Sequence, residues 1–164
     1  MSDPVHNVLF ICTRNSARSI MAEAILNAAG QGRLRAFSAG SRPAGAVDPD
    51  ALATLESLNL STEGCRSKDW SEFAQPGAPR LDFVFTVCDD AAGEVCPVWP
   101  GQPMTAHWGV ADPAAFEGDA DARRRVFRDT AIVLKRRLEL MLALPLASLD
   151  RMAIQREIAD IGRR

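Results

Sequence analysis

A short apolar run, Val8-Leu9-Phe10-Ile11, is followed by the six-residue polar stretch Cys12-Thr13-Arg14-Asn15-Ser16-Ala17 and then by a helical pattern beginning at Arg18. Ile20, Met21, Ala24, Ile25 and Ala28 share one face at a spacing near 3.6, which predicts a helix over about 17–30. The polar stretch is therefore a strand–loop–helix turn. Successive backbone N–H groups in such a turn can converge on one point, and the helix N-terminus adds partial positive charge. The result is an oxyanion site of phosphate size over Thr13, Arg14, Asn15, Ser16, Ala17, Arg18 and Ser19. Arg18 carries a planar fork suited to two oxygens of a tetrahedral anion. The field that holds an anion also stabilises a thiolate on Cys12. An ordinary cysteine is only a few per cent thiolate at neutral pH. Nearly full ionisation requires a shift of about three pK units, or roughly 4 kcal/mol. A helix terminus supplies about 0.3–1 kcal/mol of this, so N–H donors, hydroxyls and Arg18 must supply the rest. The plain alternative is a buried cysteine that merely ends a strand.

The remaining elements follow from pattern. Strands are expected over 5–11, 34–41, 81–87 and 104–107, with helices over 48–58, 119–143 and 149–161. Pro49 suits the first turn of the second helix. The long helix carries the stripe Phe127, Ala131, Leu134, Leu138, Met141 and Leu142. A short helix is expected around Trp70 and Phe73, and a long loop over 89–102. Alternation of strands and helices implies an α/β fold: one flavodoxin-like domain over residues 1–164, with a four-stranded, mainly parallel sheet and helices on both faces. In that order Cys12 lies at the topological switch point, and Cys88, His107 and Asp112 lie at or after other carboxyl ends of strands.

The net charge of -2 gives no reason to expect nucleic acid or an anionic membrane as partner. No stretch approaches the ~18 apolar residues of a membrane span, and residues 1–4 lack the features of a secretory signal. A cytoplasmic location is expected. Four cysteines in such a chain argue for chemistry rather than a disulfide scaffold. Cys88 and Cys96 stand in a Cys-x7-Cys arrangement, and the two histidines, His6 and His107, are too few for a clear zinc site. A redox pair with no metal is one reading; a buried strand cysteine and an incidental loop cysteine is the other. Arg123-Arg124-Arg125 and Lys135-Arg136-Arg137 read as the solvated face of the long helix. Cys65 reads as a spare thiol, and Trp108 as packing.

The 12–19 loop resembles that of the low-molecular-weight protein tyrosine phosphatases, and most of all that of the arsenate reductases built on their fold. Phe37-Ser38-Ala39-Gly40-Ser41, Phe83 to Cys88, Cys96-Pro97, His107-Trp108-Gly109 and Asp112-Pro113 extend the resemblance over nearly the whole chain. It implies Cys12 as nucleophile, Arg18 as oxyanion ligand and Asp112 as proton donor. It also implies a relay in which Cys88 and then Cys96 pass a disulfide outward to an external thiol reductant, thioredoxin or glutathione/glutaredoxin, with no tightly bound cofactor. Asn15, Ser19 and Ser38 are expected to orient the loop. Glu23 is either a contributor to a monovalent cation site or a solvent-facing helical residue.

The chain departs from the resemblance in places. Arg14 stands where many phosphatases of this fold have glycine, Ala17 where several reductases have cysteine, and the Cys88–Cys96 spacing is one residue longer. Aromatic residues that often follow Asp-Pro in the phosphatases are missing from Ala114-Ala115, which favours arsenate or phosphate over a phosphotyrosine ring. The leading expectation is an arsenate reductase. The alternatives are a phosphomonoesterase working through a phosphocysteine, and a non-catalytic, anion-binding redox sensor.

Overall fold

A computed structural model describes residues 5–30, 32–88, 99 and 102–164. Four parallel strands, β1 (His6–Ile11), β2 (Leu34–Ala39), β3 (Phe83–Thr86) and β4 (Met104–His107), form one sheet in the order β2-β1-β3-β4. The helices are α1 (Arg18–Ala29), α2 (Pro49–Ser57), α3 (Ala120–Leu142) and α4 (Arg151–Ile161). Short 3-10 turns cover Trp70–Phe73 and Pro113–Ala115. The expected flavodoxin-like order is the one found, and most of the long loop expected over 89–102 lies outside the described residues.

Val8, Leu9, Phe10 and Ile11 are all completely buried, although alternate residues of a strand face opposite sides of a sheet. Both faces of β1 are therefore covered, as a parallel sheet requires. Beside it, Phe85 stacks on Trp108 with ring centroids 4.0 Å apart and planes 15° from parallel. Trp108 is wholly buried, as expected of a packing residue, and its indole N–H donates to the Ile158 carbonyl at 2.8 Å. That bond satisfies the polar edge of the ring and ties α4 to the end of β4.

The apolar face of α1 differs from the expected one. Ser19, Ile20, Met21, Ala22, Ile25 and Leu26 are buried, whereas Ala28 is exposed. The sheet covers a wider arc than the stripe read from the sequence, and small Ala28 sits at the exposed end of the helix. In α3, five of the six stripe residues, Phe127, Ala131, Leu134, Leu138 and Met141, are buried. Arg137 is buried with them, contrary to its assignment to the solvated face, because main-chain carbonyls meet its guanidinium. Arg123 also differs. Its guanidinium joins Asp48 at 3.1 Å and makes a close pair with Asp50, tying α3 to the start of α2.

Candidate active site

The carboxyl end of β1 runs into the 12–17 loop, which stands on β2 and on the segments after it. The carbonyls of Thr13, Arg14 and Ser16 accept hydrogen bonds from Arg42 N, Ala44 N and Asp48 N at 2.9, 2.9 and 2.8 Å. A trans peptide places C=O and N–H on opposite sides. With those three carbonyls drawn outward, the amides of Arg14, Asn15 and Ala17 are turned the other way, into the loop. Asn15 adopts φ +46°, the left-handed conformation that asparagine tolerates better than most residues and that tightens the turn. Arg14, at the position where a glycine was the expected family residue, does not appear among the positive-φ residues, so the departure needs no unusual backbone there.

The N-terminus of α1 completes the cradle. Asp48, Asp119 and Asp150 cap α2, α3 and α4 with their own carboxylates. At the same position of α1 stands Ala17, with no side-chain cap and no acidic residue in the first turn. First-turn N–H groups that another helix would spend on its own aspartate remain available to a ligand anion. A cavity of about 280 Å³ opens there, lined by Cys12, Arg14, Ser16, Ala17, Arg18, Asp48, Asp112, Ala114 and Ala115. Thr13, Asn15 and Ser19, expected at the oxyanion, stand behind this lining.

A directed hydrogen-bond chain reaches the sulfur of Cys12, which is only 2% exposed. The Lys68 N–H donates to Asn15 Oδ1 at 2.9 Å, which fixes the orientation of that amide. Asn15 Nδ2 then donates to Ser19 Oγ at 2.8 Å, leaving the hydroxyl hydrogen of Ser19 for Cys12 Sγ at 3.0 Å. With Cys12 ionised, every donor in the chain would point toward the sulfur.

Arg18 donates from Nη1 to the Val110 carbonyl at 3.0 Å, and its Nη2 lies 3.7 Å from Asp112 Oδ2. The carboxylate of Asp112 also accepts from Ala114 N at 3.0 Å, so it caps the 3-10 turn while facing the cavity. Asp112 comes from the segment after β4 and Arg18 from α1; the sheet brings them together across 92 positions between Arg18 and Val110. Cys88, just past β3, is buried, and its Sγ accepts from Thr13 N at 3.2 Å. The N–H of Thr13 is thus aimed at a second sulfur. Cys96 lies outside the described residues.

Gly40 packs beneath the loop. A Cβ there would lie 2.5 Å from the Thr13 carbonyl oxygen and 2.6 Å from that of Cys12. Gly40→Ala is expected to push the loop out of shape, weakening phosphate binding by tenfold or more, and to cost about 1–3 kcal/mol of stability. Calorimetric titration with phosphate and a thermal melt check it; unchanged affinity would show that the loop does not rest on this contact.

Lys68 was not anticipated. Its ammonium is buried and donates to Ser38 Oγ at 3.2 Å and to the Arg66 carbonyl at 3.0 Å, with Glu23 Oε2 at 3.7 Å. Ser38 donates in turn to Glu23 at 2.6 Å. Glu23 is therefore no solvent-facing residue: a protein cation meets its carboxylate. Burial pushes the Glu23 carboxyl above, and the Lys68 ammonium below, their ordinary ranges, and each partner partly reverses the shift of the other. A lysine between Ser67 and Asp69 reads as solvated in the sequence, and only the fold shows otherwise. Ser38 joins this cluster rather than the loop itself. Half-buried Cys65 has its thiol pushed upward by burial and by Glu23, which fits a spare thiol rather than a nucleophile.

An α/β fold with a parallel sheet thus brings a buried cysteine, an arginine fork and the uncapped start of a helix to one cavity. The chain belongs to the family described as low molecular weight phosphotyrosine protein phosphatase, whose model matches residues 7–155. It is similar to an arsenate reductase of Shouchella clausii, 33% identical over 74% of this chain and 84% of that protein. It is also similar to a glutaredoxin arsenate reductase of Synechocystis, 30% identical over 83% of this chain and 95% of that protein. Among solved structures, an arsenate reductase in the phosphate binding state superimposes with a TM-score of 0.66 at 28% identity, covering 85% of this chain and 98% of that one.

Proposed function

We propose that the protein is a cytoplasmic arsenate reductase. The observation that carries this reading is the position of Cys88: a second buried sulfur, held by Thr13 N–H at the edge of the oxyanion loop. The similarity to arsenate reductases of Shouchella and Synechocystis supports it. Arsenate enters the cradle formed by the inward amides and Arg18. The Cys12 thiolate attacks arsenic, and Asp112 passes a proton to the departing oxygen, which leaves as water. Cys88 then attacks Cys12 Sγ. The S–As electron pair returns to arsenic, As(V) becomes As(III), and arsenite leaves with a Cys12–Cys88 disulfide behind it. Cys96 attacks Cys88, freeing Cys12 and moving the disulfide to Cys88–Cys96. An external dithiol, thioredoxin or glutaredoxin, returns two electrons by exchange; the glutaredoxin-named relative supports the second of these.

The other reading is a phosphomonoesterase, favoured by the completeness of the cradle without Cys88. Water would then hydrolyse a phosphocysteine on Cys12. Supplying arsenate to the fully reduced protein separates the two. One equivalent of arsenite and a Cys12–Cys88 or Cys88–Cys96 bond by mass spectrometry are expected; retention of all thiols with hydrolysis of an aryl phosphate would favour the phosphatase.

A further inference from the structure

Arg137 is 7% exposed. Its acceptors are main-chain oxygens. Nη1 donates to Trp108 O at 2.9 Å and to Gly109 O at 3.2 Å, while Nε and Nη2 both donate to Arg164 O at 3.2 Å. Burying a cation is costly unless its donors are met, and burial pushes this guanidinium below its ordinary range. Its acceptors at Trp108 and Gly109 belong to the exit of β4, immediately before Val110, whose carbonyl accepts from Arg18, and shortly before Asp112, which lines the cavity.

That exit has no regular secondary structure. Its N–H groups at Trp108 and Val110 bond to Thr86 O and Val87 O at 2.7 and 3.1 Å. Its carbonyls at 108 and 109 go to Arg137, and the next carbonyl, at Val110, goes to Arg18. Two guanidiniums thus hold consecutive peptide units of one short segment, Arg137 from α3 and Arg18 from α1. A shift of the segment moves the acceptor of Arg18 and the carboxylate of Asp112 together.

We propose that Arg137 is a positioning residue of the oxyanion site: by fixing the carbonyls of Trp108 and Gly109 it places the Val110 carbonyl, and through it the fork of Arg18. The assignment rests on the reading of the 12–19 loop as an oxyanion cradle. A merely structural Arg137 would staple α3 to the sheet, lowering stability without acting through Arg18.

The test is a double-mutant cycle read by inorganic phosphate affinity, using wild type, Arg137→Met, Arg18→Lys and the double variant, each with a thermal melt. Arg137→Met is expected to weaken phosphate binding about tenfold, the size of an ordinary coupling within one hydrogen-bond network. In the Arg18→Lys background the same change should cost little or nothing. Should Arg137→Met fail to fold, Arg137→Lys replaces it; lysine keeps the charge but cannot span the carbonyls of 108, 109 and 164 together, and the same cycle applies. Unchanged phosphate affinity in a variant whose melting point has fallen would overturn the proposal, as would equal weakening in both backgrounds. Failure of wild type to bind phosphate is a different result, and overturns the oxyanion reading on which the assignment stands.

Discussion

Cys12→Ser should abolish arsenate reduction and aryl phosphate hydrolysis alike, by about a thousandfold or more. The exchange is nearly isosteric, and the site around it is already built: Ser19, Asn15 and the Lys68 N–H keep their bonds whatever atom they face. The amides of Arg14, Asn15 and Ala17 and the fork of Arg18 are also untouched. Phosphate binding should consequently survive while turnover is lost. A serine hydroxyl at this place has the hydrogen-bond polarity of an acceptor, but without a thiolate's charge or nucleophilicity. Titration with phosphate and a turnover assay together check the expectation. Substantial arsenite production by the variant would remove Cys12 from the chemistry.

Cys88→Ser should divide the two activities. Collapse of an arsenic adduct on Cys12 needs a second sulfur to take the oxidising equivalent; hydrolysis of a phosphocysteine needs only water. Arsenite release is expected to fall at least a hundredfold, on the order of a lost covalent step, whereas any aryl phosphatase activity should stay within a few-fold of wild type. The hydrogen bond from Thr13 N at 3.2 Å can pass to the serine oxygen, so the loop should hold its form. Wild-type arsenate turnover by this variant would remove Cys88 from the thiol relay. Cys96→Ser is expected to complete about one turnover and then stall as a Cys12–Cys88 disulfide, unless a glutaredoxin reduces that bond directly.

The turn that carries Cys12 and Arg18 was legible because it is local in sequence. The run Val8–Ile11, the loop and the helix after it are consecutive, and alternation of elements sufficed for the β2-β1-β3-β4 order. What escaped is long-range. Arg137 lies between Arg136 and Leu138 in a basic stretch, and its burial is explained by oxygens of Trp108, Gly109 and Arg164 that are distant in sequence. Lys68 gives no periodic signal, since its ammonium is satisfied by Ser38, 30 positions away. The apolar face of α1 was misjudged at Ala22 and Ala28 because alanine carries too little hydrophobicity to mark a side. The uncapped start of α1 was visible as Ala17, but its meaning emerged only against the aspartate caps of α2, α3 and α4.

The register of β1 on β3 pairs Ile11 with Thr86, so Cys12 and Cys88 leave neighbouring strands within one residue of the same level. Thr13 and Cys88 are 75 positions apart along the chain, yet hydrogen-bonded. The native sheet has already closed that loop, so joining the two sulfurs carries none of the closure entropy an unfolded chain would face, about 4–5 kcal/mol for a loop of this size. On the proposed reading, joining Cys12 to Cys88 is a property of the β1–β3 seam, whereas the loop around Cys12 is also held from β2 and from the segment after it. Mild denaturant that loosens the seam is expected to slow the joining of Cys12 and Cys88, read by mass spectrometry as the disulfide formed after arsenate is supplied.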